Sequence, residues 1–301
     1  SFIANPTSFA GYSAGSYVKV SGAISHTQAS QLNGVNATYI EASVTETSIT
    51  NIAAIAVDNS TRTSLNKFSF VVSDTTATAA ALNSVVAKSS VAADFTNITG
   101  ITASDAAAIK TLYAATTTGL GNETVSVSDT TVNAADLNSI NGSTTGKVTL
   151  SATSPVVAGL AADVKTLLVA DALNNTQLAG VTAAPITITD SGAVSAADLK
   201  AIEANAATGL ITIGTNATSL SGTKADITTV LGKDTKAVTD PETITGSTTI
   251  DLTVTDDISA ADQAALTALS TGKITATITN TAFSGGGGNN LTALVGTGHV
   301  L

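Results

Sequence analysis

The stretch Ile186-Thr187-Ile188-Thr189-Asp190, followed four residues later by Ser195-Ala196-Ala197-Asp198-Leu199, decides how this chain folds. Its first part alternates β-branched residues with a period of two. That is a half-buried strand, with isoleucine on one face and threonine on the other. Its second part reads as a short helix: a serine cap, an acid in the first turn, and apolar residues continuing through Ala201, Ile202 and Ala206. The phrase recurs as Val125-Ser126-Val127-Ser128-Asp129 leading to Asn133-Ala134-Ala135-Asp136-Leu137. It recurs again as Leu252-Thr253-Val254-Thr255-Asp256 leading to Ser259-Ala260-Ala261-Asp262-Gln263. The closing aspartates, Asp136, Asp198 and Asp262, stand 62 and 64 positions apart. A fixed period of this size marks a repeat array, in which each unit buries its apolar face on its neighbours.

Each unit resolves into two halves. The second half opens with another alternating segment, Leu210 to Gly214, and continues through Leu220-Ser221-Gly222-Thr223-Lys224-Ala225-Asp226-Ile227 to Val230-Leu231, a second helix signal. Its counterparts are Ile101 to Leu112 and Leu160 to Leu168, and the aspartates Asp105, Asp163 and Asp226 repeat at 58 and 63 residues. Weaker copies lie upstream, so that units begin near Val18, Phe68, Thr124, Ile186 and Ile250. A strand, a helix and a like strand form the connection between parallel strands, and it is right-handed almost without exception. The expected fold is therefore α/β: a solenoid of about five β-α-β-α units of roughly 60 residues. Because the strands alternate with Thr and Ser, one parallel sheet with helices mainly on one face is expected. A coil with two separate strand faces per turn of about 60 residues is the other arrangement the pattern allows.

Composition narrows the function. Hydrophobic residues make up 43% of the 301, but only 3% are aromatic and Cys, Met and Trp are absent, so the core is built of Val, Ile, Leu and Ala. The absence of Cys removes disulfides, thiol catalysis and thiolate metal sites. A net charge of −10, with twelve scattered basic residues, gives no footprint for nucleic acid. No apolar run is long enough for a transmembrane helix. A chain that begins at Ser1 and lacks Met fits a processed, secreted product.

The ends depart from the repeat. Residues 1–17 form an aromatic-rich arm carrying Phe2, Phe9, Tyr12 and Tyr17. It is expected either to cap the first unit or to dock on a neighbouring copy, since aromatics anchor interfaces. Residues 18–281 are the repeat array, and 282–301 a tail hinged at Gly285 to Gly288, whose Leu291, Leu294 and Val295 are a second candidate interface. Unlike ends that join head to tail form a contact that does not close, and it yields filaments or sheets.

Catalytic chemistry has little to work with. The two histidines, His26 and His299, form no paired motif, and G-x-S-x-G is absent, so no catalytic residue is assigned and no enzyme is expected. The candidate metal set is Asp251, Asp256, Asp257 and Asp262, with calcium as the ion of matching chemistry. Asp74, Asp129, Asp190 and Asp256 end successive strands and would stack into a carboxylate column. Such a column needs either cations or N–H donors between its members, and turn or helix-cap roles supply the donors. No other cofactor is expected. A regular Thr ladder also suggests a templating surface for ordered water, but Ser, Asp and Gly interrupt it here.

The V-S-D…A-A-D-L-N phrase at Val127 to Asn138, the S-T-T-G-K phrase at Ser143 to Lys147, and the L-A-A-D-V and K-A-D-I phrases at Leu160 and Lys224 resemble repeats of very large secreted and cell-surface proteins of cyanobacteria. Such proteins are similar to surface-layer, adhesin and filament components, and the similarity spans roughly Phe68 to Asn280. It implies an extracellular structural role and carries over no catalytic residue. The expectation is a homopolymer forming a filament or surface layer. The alternative is an adhesin or phage-fibre-like module that recognises glycan or a cell surface through its Thr/Ser face.

Overall fold

Val132, Val157, Ile186, Ile211 and Ile244 stand side by side in one parallel sheet, every one of them buried. The residues that follow, Asn133, Ala158, Thr187, Thr212 and Thr245, form the adjacent outward row. Strand alternation is thereby converted into an apolar row facing the core and a row of small and polar residues facing out. The computed structural model describes residues 17–33, 38–45, 47–56, 65–173, 177–207, 210–234 and 243–277.

The helices among them are α1 (His26–Leu32), α2 (Ile49–Ala53), α3 (Ala79–Val86), α4 (Ala106–Ala114), α5 (Ala134–Asn141), α6 (Ala161–Leu173), α7 (Ala196–Asn205), α8 (Lys224–Asp234) and α9 (Ala260–Leu269). Several begin on the residue type that the sequence offers as a cap. The side chains of Ser25, Ser48, Thr78, Asp105, Ser195 and Ser259 each accept from a backbone N–H three residues on. Ser25 with Gln28, and Ser259 with Asp262, close reciprocal capping boxes.

The chain divides into two compact units, Ser1–Asp129 with Ser139–Ser151, and Thr130–Asn138 with Ala152–Leu301. In the first, Tyr17–Ile24, Tyr39–Val44 and Lys67–Ser69 form one parallel sheet. Thr76–Thr78, Gly100–Ser104, Thr124–Val127 and Val148–Leu150 run side by side in another. Ala93–Asp94 and Thr117–Thr118 form a short pair, joined by Val71.

In the second unit, Thr131–Asn133, Val156–Gly159, Ile186–Ile188, Ile211–Ile213 and Ile244–Thr245 form a five-stranded parallel sheet. Gly192–Ser195, Ala217–Gly222, Asp251–Val254 and Ile274–Thr275 form a second, four-stranded one. The buried Val194, Leu220, Leu252 and Ile274 line one row of it. These rows pack with the apolar faces of the helices, where Val164, Leu167, Leu199, Ile202, Ile227, Val230 and Leu266 are all buried. Neighbouring helices pack in sequence order, α6 on α7, α7 on α8 and α8 on α9.

The α/β class and the parallel pairing are as expected, but the strands do not form one continuous sheet. Within the second unit the chain leaves the first sheet for the second at three corners, after Ile188, after Ile213 and after Thr245. Each pass therefore contributes strand, corner, strand and helix, where the sequence reading counted a strand and a helix. The helix signals at Ile101 and Leu220 are likewise strand at their start, since Gly100–Ser104 and Ala217–Gly222 are extended up to the caps. Short apolar runs do not distinguish the two by periodicity. One landmark also shifts: Asp163 and Asp226 are the third residues of α6 and α8, whereas Asp105 is the N-cap of α4, so Ala108 is their true counterpart.

Candidate functional site

The recurring strand-end aspartates have a single role. Asp74 accepts from the N–H of Ile49 at 2.7 Å, Asp129 from Ala106 at 2.8 Å, Asp190 from Ala161 at 2.8 Å, and Asp256 from Lys224 at 2.7 Å. Each donor is the first residue of a helix in the preceding half-unit: α2, α4, α6 and α8. An anion at a helix N-terminus meets the exposed N–H groups and the positive end of the helix dipole. The expected cap role is therefore real, but it joins two half-units instead of closing a turn within one. In the alternate half-unit of the first unit a hydroxyl does the same work, as Ser104 accepts from Ala79 at the start of α3 at 2.8 Å.

No carboxylate column arises. Beside Ile188 in its sheet lies Ile213, from the following half-unit, so the Gly214-Thr215 corner follows the strand next to Asp190. The half-unit alternation separates the acids and relieves their mutual repulsion.

The helix aspartates make a second set of links. Lys165 of α6 donates to Asp198 of α7 at 2.5 Å, Lys200 of α7 to Asp226 of α8 at 2.8 Å, and Lys224 of α8 to Asp262 of α9 at 2.9 Å. Lys233 of α8 donates back to Glu203 of α7 at 2.6 Å. The Lys224 ammonium, with the N–H and hydroxyl of Ser259, holds the Asp262 carboxyl down to about 2. Lys200, then Thr223, lowers Asp226 in the same direction.

A third group of carboxylates pins corner loops. After the positive-φ Gly246 (φ 90°), Asp234 at the end of α8 accepts from Ser247 N at 2.6 Å, Ser247 Oγ at 2.7 Å and Thr248 N at 2.9 Å. In the first unit, after the matching Gly119 (φ 86°), the wholly buried Glu123 accepts from Gly121 N at 2.7 Å and Asn122 N at 3.1 Å, and from the Tyr113 hydroxyl. Burial, and then the bond to Glu123, push the Tyr113 hydroxyl well above its ordinary range.

Three of the four aspartates expected to hold a metal are otherwise engaged. Asp251 accepts from Lys273 N at 2.9 Å, Asp256 caps α8, Asp262 closes the α9 capping box, and Asp257 is exposed. Among the described residues no three His, Cys, Asp or Glu side chains gather into a metal-binding group. The strand-end Asp256 is turned to the first N–H of α8. Of the expected interface residues, Tyr17 is exposed and opens the strand Tyr17–Ile24, stacked on Tyr39 with ring centroids 5.7 Å apart. Lys67 Nζ sits 4.2 Å from the centre of the Tyr39 ring. Phe2, Phe9, Tyr12, Leu291, Leu294 and Val295, with the glycines of the tail hinge and His299, lie outside the described residues. No described helix is long and apolar enough to cross a membrane.

Sequence reasoning missed the corner-pinning acids Asp234 and Glu123. Their only signal is position relative to the glycines Gly246 and Gly119, and that signal becomes readable only once those glycines are seen to occupy equivalent corners. The fold and these side chains define an α/β protein of in-register parallel strands whose acids serve as caps and links. No protein-family model, curated protein or solved structure is significantly similar to this chain.

Proposed function

We propose that this chain is a repeat module of an extracellular structural assembly, an α/β solenoid whose copies join end to end into a filament or surface layer. The observation that carries the reading is register. Successive half-units place like residues at the same height, such as Ile186, Ile211 and Ile244, and capping acids tie each half-unit to the one before it. Such an arrangement propagates a stack by nearest-neighbour contacts. The acidic, Lys-poor composition and the resemblance of the repeat phrases to secreted surface proteins support an extracellular place for it.

Negative-stain micrographs and sedimentation of the purified full chain test this. Polymers are expected, and a variant lacking residues 1–14 should stay folded and fail to assemble. A full chain that remains monomeric at high concentration would sink the reading. A second reading, glycan or cell-surface recognition, is favoured by the outward hydroxyl row Ser195, Ser221, Thr253 and Thr275. Glycan-array binding by a non-polymerising chain would select it.

A further inference from the structure

Asp171 occupies in α6 the position that Asp234 occupies in α8, the eleventh residue of each helix. The corners that follow also correspond. Gly180 and Gly246 share a positive φ of 87° and 90°, and Thr182 and Thr248 each accept from a backbone N–H of the next half-unit, that of Ala207 and that of Thr271. The two acids nevertheless differ in circumstance. Asp234 receives three donors, while Asp171 is buried to 5% exposure with its Oδ1 unpartnered. A buried carboxylate oxygen without a donor is costly when charged and tolerable when neutral. Its place in the last turn of α6 adds to that preference, since the C-terminal end of a helix repels an anion.

Neighbouring charges do not compensate. The strand Val156–Gly159 that packs on α6 carries no titratable group. On α7, Asp198, Lys200 and Glu203 are tied to Lys165, Asp226 and Lys233 respectively. On α6 itself the remaining charged groups are Asp163 and Lys165, and Asp136 of α5 has partners of its own. Burial alone pushes the Asp171 carboxyl up.

We propose that Asp171 is a proton-operated latch of the second unit: neutral, it is accommodated in its buried site near the end of α6, and ionised, it loosens that helix end and, at the position matching Asp234, the corner that follows. The sign is fixed by linkage. A carboxyl raised in the folded state contributes stability that is fully present below the unfolded value of about 3.9 and is lost as pH rises through the folded value. The latch therefore tightens on acidification, against the trend set by Asp226 and Asp262.

The experiment uses the full chain, Asp171→Asn and, as the contrasting position, Asp234→Asn. In the unaltered chain, hydrogen-exchange protection at Leu178 to Ala184, corrected for intrinsic rate, should fall several-fold as pH rises from about 3.9 to above the Asp171 midpoint. In Asp171→Asn it should be flat with pH and the melting temperature at the higher pH should rise, whereas Asp234→Asn should lower it. A carbon-detected titration of the Asp171 carboxyl should show a midpoint above the ordinary aspartate value. Any of three results overturns the latch: an ordinary or lowered midpoint, the same pH dependence in Asp171→Asn, or destabilisation of that variant at the higher pH.

Discussion

The Asp190 carboxylate accepts a 2.8 Å hydrogen bond from the backbone N–H of Ala161, the first residue of a helix one half-unit earlier in the chain. The capping group and the helix it caps thus belong to different turns of the chain. The N-terminus of that helix therefore depends on a residue of a later strand for one of its donors' partners.

Replacing Asp190 by Ala should therefore cost about 1 kcal/mol, the usual worth of a lost N-cap. Urea denaturation measures the cost, and hydrogen exchange should locate it at Ala161 and not at residue 190. An unchanged Ala161 amide would show that the cap contributes nothing.

Two glycines of different surroundings make an opposed pair. A Cβ on Gly272 would stand 1.8 Å from the Ile250 carbonyl oxygen, so Gly272→Ala forces the backbone apart. A loss of about 1–3 kcal/mol follows from such overpacking. Gly232 lies inside α8 with open space at its Cβ, and Gly232→Ala should gain roughly 0.5–1 kcal/mol from helix propensity. Thermal melting of the two variants reads both signs.

The two faces of a strand should also part company. Ile211 is buried between Ile186 and Ile244, and Ile211→Ala should cost about 2–5 kcal/mol. Thr212, on the outward face, hydrogen-bonds Thr245 Oγ1 at 3.3 Å, and Thr212→Ala should stay within about 0.5 kcal/mol. Equal costs would contradict the single wet face.

Acid should unlock the helix links. Asp226 and Asp262 are held below their ordinary range, so the stability they contribute is present above the unfolded value of about 3.9 and is lost as pH falls through the folded values. For Asp262 that window extends down to about 2. Asp262→Asn should flatten the acid limb of the stability profile, and high salt should weaken the unaltered chain's limb. Both groups are partly solvated, so each contribution is small.

Much of this was legible beforehand. Alternation in Ile186 to Thr189 identified the strand and its wet face, Ser195 identified a cap, and the phrase around Asp136, Asp198 and Asp262 identified the starts of three helices. What escaped were features that depend on neighbours. Asp129 and Asp190 read as members of an acidic column, because nothing local says that the adjacent strand comes from the alternate half-unit. Glu123 and Asp234 were passed over, because their donors are corner N–H groups that follow the positive-φ glycines Gly119 and Gly246.

By itself the sequence determined the period, the alternation, the class and the caps, since all of these are local and depend only on side-chain chemistry and spacing. The tertiary structure decided which strand lies beside which, where the chain turns from one sheet to the next, and where each carboxylate finds its donor. For the strand-end aspartates those are relations between residues 25, 23, 29 and 32 positions apart, and their geometry comes from packing. Packing made of the expected turn and cap acids a set of bonds to helices earlier in the chain.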